Sequence, residues 1–295
     1  MAVADVVAEL YQHKPVVPLF HYTSLGALLG IISDASLQAT DVRFLSDAAE
    51  LGHTGNILRN AIYARKTLDP FEDRLLGQFE DWLRHRLTNG NMLFVVCFTA
   101  SGNLLSQWRS YTPPSKGISL GFAADKLSVC ALNQDFRLAR CVYQPGEQKQ
   151  IAERLIEEVI ALAHVRGETT DRSKRGPNDS FYPVFEEIED DVLRVAALLK
   201  HQAFHEEQEW RAISKIHTNY VVEPIQYREG KSTLVPYIKF TLPKDTDRRI
   251  DIAMAIIGPT PRGNNSLTSI NNYLSKHGAS PRLGTTYCGI PYRTW

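Results

Sequence analysis

"NMLFVVCFTA", residues 91–100, is an almost unbroken apolar run of strand length. A strand with one wet face alternates apolar and polar residues. A strand covered on both faces does not need to, so this run predicts a fully buried strand. Strand-like stretches lie on both sides of it. Upstream stands "VVPLFHYTS" (16–24), β-branched and aromatic; downstream come "GISLGF" (117–122), "FRLARCVY" (136–143), "EWRAIS", "NYVVEPIQY", "LVPYIKF" and "IDIAMAIIG".

Helical patterns separate these runs. Ser24 is placed to cap "LGALLGIIS". Asp47 suits the start of a helix to about Lys66, and Asp69 the start of another, in which Phe71, Leu75, Phe79 and Leu83 recur every four residues. A further helix is expected over about Glu147–Val165. A long one is expected over Phe181–Phe204, with Phe185, Ile188, Val192, Val195 and Leu199 on one stripe, and a last one over Ser266–His277. The polar segment 166–180 is the clearest loop. It is too short to link domains, and strands fall on both sides of it. The economical reading is α+β: residues 1–295 as a single domain, with a mixed, mostly antiparallel sheet flanked by helices and helical insertions at about 47–88 and 147–205.

Composition excludes little. Lys+Arg and Asp+Glu number 33 each, so no global charge calls for nucleic acid or a membrane surface. No run approaches the ~18–20 apolar residues that span a bilayer. The N-terminal stretch carries Asp5 and Glu9 and lacks the basic start of a secretory signal. The scattered Cys97, Cys130, Cys141 and Cys288 show no metal spacing and read as reduced thiols of a cytoplasmic protein.

The polar residues with chemical potential cluster at strand ends. In "FHEEQEWRAIS" (204–214), strand alternation puts Glu207, Glu209 and Arg211 on one face and Trp210 on the other. Two readings of that face stand. It is either a solvated, self-neutralising surface behind a core Trp210, or a Glu-x-Glu at the mouth of a cleft with Arg211 holding one carboxylate. "FHYTS" brings His21 and Thr23 to one side of a strand end. "LSQWRSY" groups Ser106, Trp108, Arg109 and Tyr111, and taken on its own it reads as an aromatic pair covering the sheet. Asp47 and Glu50 are explained by a helix start. Arg262, after "IIGPTP", stands where a helix N-terminus can hold an anion. His201 and His205 are four apart, but Gln202 stands where a zinc-protease helix carries glutamate, so no metal is expected. No dinucleotide glycine fingerprint, phosphate loop or nucleophile elbow occurs.

Taken in order, "HYTS", "LSDAAE", "VVCFTA…LLSQWRSY", "KGISLGF", "EEQEWR", "IIGP" and "IPYR" resemble a bacterial family of unknown function that is similar to abortive-infection and other phage-defence proteins. That family carries an Asn-Asp-x-x-Glu element, and Ser46 replaces its Asn here. More distantly, the order resembles ADP-ribosyltransferases, which carry His or Arg on a first strand, Tyr or Ser in the middle and Glu, often Glu-x-Glu, on a later strand.

That resemblance implies an ADP-ribosyltransferase-like fold and an NAD-dependent ADP-ribosyltransferase or NAD glycohydrolase acting as a toxin or defence effector. NAD would be the substrate, with no metal. A macromolecular acceptor and a defence-system partner or antitoxin would be involved, and no membrane. His21, Tyr22 and Thr23 would hold a ribose or the nicotinamide amide, His21 counting also among the catalytic residues, with Ser106 or Tyr111 at the middle position. Tyr111 or Trp108 would stack on the nicotinamide ring. Arg211 would hold a carboxylate, Glu209 would be the catalytic acid, and Glu207 would position the acceptor. The closeness of the two carboxylates is expected to raise one pKa. The competing readings are a non-catalytic module that senses a nucleotide or a phage component and, less favoured, a metal-dependent nuclease using Asp47, Glu50, Glu207 and Glu209.

Overall fold

The buried strand predicted at 91–100 is β3 (Met92–Thr99), and it sits at a branch point of the sheet. The structure is a computed structural model that describes residues 2–45, 49–65, 69–169 and 180–290. Along its whole length β3 pairs antiparallel with β6 (Glu209–His217), which carries β5 (Arg137–Arg140) on its far edge. The other edge of β3 is shared. Its C-terminal end meets β1 (Leu19–Ser24) at Phe20↔Thr99, while its N-terminal half meets β2 (Ser36–Asp41) at Thr40↔Val95 and Asp41↔Phe94. Between those contacts, neither strand is in register with Val96, Cys97 or Phe98.

β1 and β2 both run antiparallel to β3, so they are parallel to each other, and α2 (Leu25–Asp34) joins them across the gap. Ser24 caps α2 as expected, its Oγ accepting from the Ala27 N–H at 3.0 Å. Outward from β1 the sheet continues through β4 (Gly117–Phe122), β9 (Met254–Ile257) and β10 (Thr285–Tyr287). Outward from β2 it continues through β8 (Leu234–Thr241) and β7 (Gln226–Glu229). Among the named strands only β9 and β10 pair in parallel. The result is the mixed, mostly antiparallel sheet of one α+β domain.

Both faces of β3 are covered, which is why its sequence need not alternate. Leu93 and Val95 face a core built with α1 (Val3–Gln12), α3 (Ala49–Ala64), α4 (Pro70–Asn89) and α7 (Pro145–Thr169), together with α8 (Tyr182–Glu187) and α9 (Glu189–Ala196). Phe94, Val96 and Phe98 face a second core with Trp210, Phe240 and residues of α2, α6 (Ala124–Leu132) and α10 (Gly263–Lys276). α4 begins as its sequence predicts, Asp69 accepting from the Phe71 N–H at 2.8 Å, and buries Leu75, Phe79 and Leu83.

Two expectations are corrected. The long helix over 181–204 is instead α8, α9, an extended piece and a 3-10 turn (Gln202–Glu207). Its stripe is buried throughout 185–199, but Leu199 forms a parallel bridge with Val142, and the Lys200 N–H donates to the Val142 carbonyl at 3.0 Å. This tertiary pairing draws the chain out of the helix, and an apolar period cannot report it. The strand expected over "NYVVEPIQY" is confined to β7, because Asn219 folds the preceding residues into a turn, its Oδ1 accepting from the Val221 N–H.

Candidate functional site

The gap between β1 and β2 opens a cleft of about 450 Å³, within the range typical of small-molecule sites. His21 and Thr23 of β1, Val95–Cys97 of β3, Glu209 and Arg211 of β6, Thr40 of β2 and Tyr237 of β8 line it, with Tyr111, Lys200 and Arg228. Strand alternation is what brings His21 and Thr23 to the same wall.

His21 partly fills the gap. Its Nδ1 donates to the Cys97 carbonyl at 3.0 Å, on the edge of β3 that neither β1 nor β2 pairs. A carbonyl cannot donate, so Nδ1 carries the proton and Nε2 is left as an acceptor. Burial lowers the His21 pKa, against the opposing effect of the Cys97 hydrogen bond, and this favours the neutral ring.

The face of β6 holding Glu209 and Arg211 is neither solvated nor self-repelling. Glu209 is 5% exposed and Arg211 2%. Arg211 grips Glu209 through Nε to Oε1 (2.9 Å) and Nη2 to Oε2 (3.1 Å), and Nη1 reaches the Ala197 carbonyl at 2.7 Å. Lys200, 1% exposed, bridges the two glutamates, with Nζ at 2.5 Å from Glu207 Oε2 and 2.6 Å from Glu209 Oε2. Its ammonium also lies 5.0 Å from the Phe204 ring centroid. The Tyr143 hydroxyl accepts the Glu209 N–H at 2.9 Å, and the Tyr111 hydroxyl lies 3.4 Å from Glu207 Oε1.

The electrostatics correct the expected titration. Burial by itself would raise the Glu209 pKa, but the Arg211 and Lys200 charges and the Arg211 hydrogen bonds outweigh it and hold the pKa down to about 2. Glu209 is therefore a fixed anion in the cleft wall, not a proton donor. The neighbouring Cys97 thiol is pushed well up, first by burial and then by the Glu209 charge. That argues against a thiolate nucleophile.

Lys200 was missed by sequence reasoning because its segment reads as helix. The available signal was a cation on the approach to two closely spaced glutamates. The structure thus brings His21, Thr23, Tyr111, Glu209 and Arg211 to one cleft and ties Glu207 to it through Lys200. Tyr22, Ser106 and Trp108 are elsewhere. Tyr22 packs edge-on against Trp108 at 4.6 Å between centroids, and its hydroxyl binds the Ser101 carbonyl and the Leu104 N–H. Trp108 is 3% exposed and lies against Gly258, where an added Cβ would stand 2.9 Å from the ring. Of the aromatic pair in "LSQWRSY", Trp108 packs with Tyr22 under the sheet while Tyr111 lines the cleft. Ser106 sits in the first turn of α5 (Leu105–Tyr111), its Oγ buried without a partner among the described residues.

His201 and His205 do not share a helix face. His201 caps the 3-10 turn, its Nδ1 accepting from the Ala203 N–H, and His205 Nδ1 donates to the Gln202 carbonyl. Among the described residues no group of three or more His, Cys, Asp or Glu could hold a metal ion. Asp47, the Glu50 side chain and the Pro-Tyr-Arg tail lie outside the described residues. No described helix is long and apolar enough to cross a membrane.

Residues 107–212 match the model of a family described as a protein of unknown function, DUF2971. The matched segment runs from α5 into β6. It includes Trp108, Tyr111, Lys200, Glu207, Glu209 and Arg211, and leaves out β1 with His21 and Thr23. No curated protein and no solved structure matches the chain.

Proposed function

We propose that the cleft between β1 and β2 binds NAD, and that the chain cleaves its nicotinamide–ribose bond as an NAD glycohydrolase or ADP-ribosyltransferase in a toxin or phage-defence role. The observation that carries this reading is Glu209, a carboxylate kept ionised in the wall of a cleft that also presents His21, Thr23, Tyr111 and Arg228 among aliphatic side chains, the cleft's other described carboxylate, Asp34, being paired with Lys239. Cleavage sends the glycosidic electron pair to the nicotinamide nitrogen and leaves positive charge on the ribose ring. A preorganised anion beside that ring stabilises the transition state. Water or an acceptor hydroxyl or amine then bonds to the ribose carbon and gives up its proton. In this reading His21 Nε2 and the Thr23 hydroxyl take ribose hydroxyls or the carboxamide, and Tyr111 supplies a stacking face.

One observation favours a second reading, in which the same cleft senses a nucleotide without turning it over. Both oxygens of Glu209 are already engaged by Arg211 and Lys200. Incubation of the protein with NAD and measurement of free nicotinamide separates the two. Release that is lost in a folded Thr23→Val, Tyr111→Ala double variant supports cleavage. NAD binding without release supports the sensor.

A further inference from the structure

Among the described residues four basic side chains of Lys and Arg type line the cleft, and three of them are spoken for. Lys200 serves Glu207 and Glu209, Arg211 serves Glu209, and Lys239 pairs with Asp34 at 2.7 Å. Arg228, on β7, is the exception among the described residues. It donates through Nη1 to Gln38 Oε1 at 2.8 Å and through Nη2 to Thr40 Oγ1 at 3.0 Å. Its guanidinium carbon lies 5.9 Å from the Tyr237 ring centroid. Neutral acceptors and an aromatic face orient it, and no described carboxylate offsets its charge. Burial lowers its pKa, and among described groups only Tyr237 opposes that. A guanidinium at such a site remains a cation at neutral pH. Among the described residues this half-buried positive charge is uncompensated at the β2 side of the cleft, where it can meet an anion. Two of its five N–H donors are used by described residues.

We propose that Arg228 is the phosphate-binding residue of the cleft, so that the ligand is a nucleotide carrying a diphosphate, its charge held by Arg228 at the β2–β8 side and its ribose directed toward His21 and Thr23. The proposal rests on the reading of the cleft as a nucleotide site and adds which part of the nucleotide pays the recognition. A planar guanidinium with free donors suits phosphate oxygens better than a point charge would.

The test is calorimetric titration of the full-length protein with ADP-ribose, inorganic pyrophosphate and adenosine, repeated on Arg228→Gln and Arg228→Lys, with circular dichroism melts to confirm folding. In the parent, ADP-ribose should bind more tightly than adenosine. In Arg228→Gln, ADP-ribose and pyrophosphate affinity should fall on the order of 10–100-fold, with adenosine unchanged and Arg228→Lys intermediate. Loss of ADP-ribose and adenosine binding to the same extent would make Arg228 a prop for Gln38 and Thr40, and would overturn the proposal. So would undiminished ADP-ribose binding by Arg228→Gln, or a parent protein that binds neither phosphate probe. Arg228-dependent ADP-ribose binding without nicotinamide release from NAD would uphold this proposal while removing the cleavage reading.

Discussion

Lys200 Nζ stands 2.6 Å from Glu209 Oε2, and both side chains are almost wholly removed from water. The pair is fixed by two unrelated pieces of backbone. The Leu199–Val142 bridge positions Lys200, and the β3–β6 ladder positions Glu209. With Arg211 and Glu207 it forms a buried set of two cations and two anions, and losing one member leaves the others desolvated and unbalanced.

Lys200→Met should therefore destabilise the protein by about 3–5 kcal/mol, the cost of breaking a buried ion pair on one side. Glu209→Gln should cost a comparable amount. That reverses the expectation for a mutually repelling surface pair, in which charge removal is nearly neutral. Denaturant unfolding of the two variants and the parent is the measurement. Midpoints within error of the parent would show that the set is solvated.

The Glu209 pKa sets a pH window. Its folded value of about 2 lies below its ordinary 4.5. A depressed carboxylate contributes stability that is fully present above the unfolded value and is lost as pH falls through the folded one. The contribution should be about 3 kcal/mol at neutral pH and should fade between about pH 4.5 and pH 2. Unfolding free energies at pH 6, 4, 3 and 2 should decline more steeply in the parent than in Glu209→Gln. Equal slopes would assign the acid loss to other carboxylates.

His21→Phe removes the imidazole that satisfies the Cys97 carbonyl at the sheet branch. Leaving a buried acceptor unmet costs about 1–3 kcal/mol. The expected result is a lower melting temperature with the β3–β6 amides still protected from hydrogen exchange, since that ladder lies on the opposite edge of β3. An unchanged melt would mean that water replaces the ring.

Much of the sheet was legible because local patterns and tertiary context agree. The run at 92–99 needs burial on both faces, and the His21/Thr23 alternation survives because β1 is regular. What was not legible depends on contacts distant in sequence. The helical period through Leu199 gives no hint that Val142 will draw the chain into a bridge. Without that bridge Lys200 appears on a helix face instead of between two glutamates. The branch of β3 between β1 and β2, which makes the cleft, is likewise a property of three-strand registry. Arg228 gave no signal for the same reason, since its partners lie 188 and 190 residues away. Aromatic and polar residue types also could not tell Tyr111, which lines the cleft, from Trp108, which is packed under Tyr22.

Thr23 offers a separation of folding from function that Glu209 cannot. Its side chain lines the cleft on the same wall as His21, and its hydroxyl makes no hydrogen bond to any described residue. Thr23→Val keeps the β-branched shape that strand β1 favours and replaces only the hydroxyl. No internal partner is stranded by the change, so stability should stay within about 0.5 kcal/mol of the parent. A ligand that uses the hydroxyl loses one neutral hydrogen bond, about 0.5–1.5 kcal/mol, or roughly 2–10-fold in affinity. ADP-ribose titration of Thr23→Val should show that weakening against an unchanged melting curve. Glu209→Gln, by contrast, should lose binding and stability together. If Thr23→Val binds ADP-ribose as the parent does, the ligand does not reach the β1 wall, and the ribose placement beside His21 fails. If it melts several degrees lower, the hydroxyl has a structural partner through water, and the variant reports on folding instead of recognition.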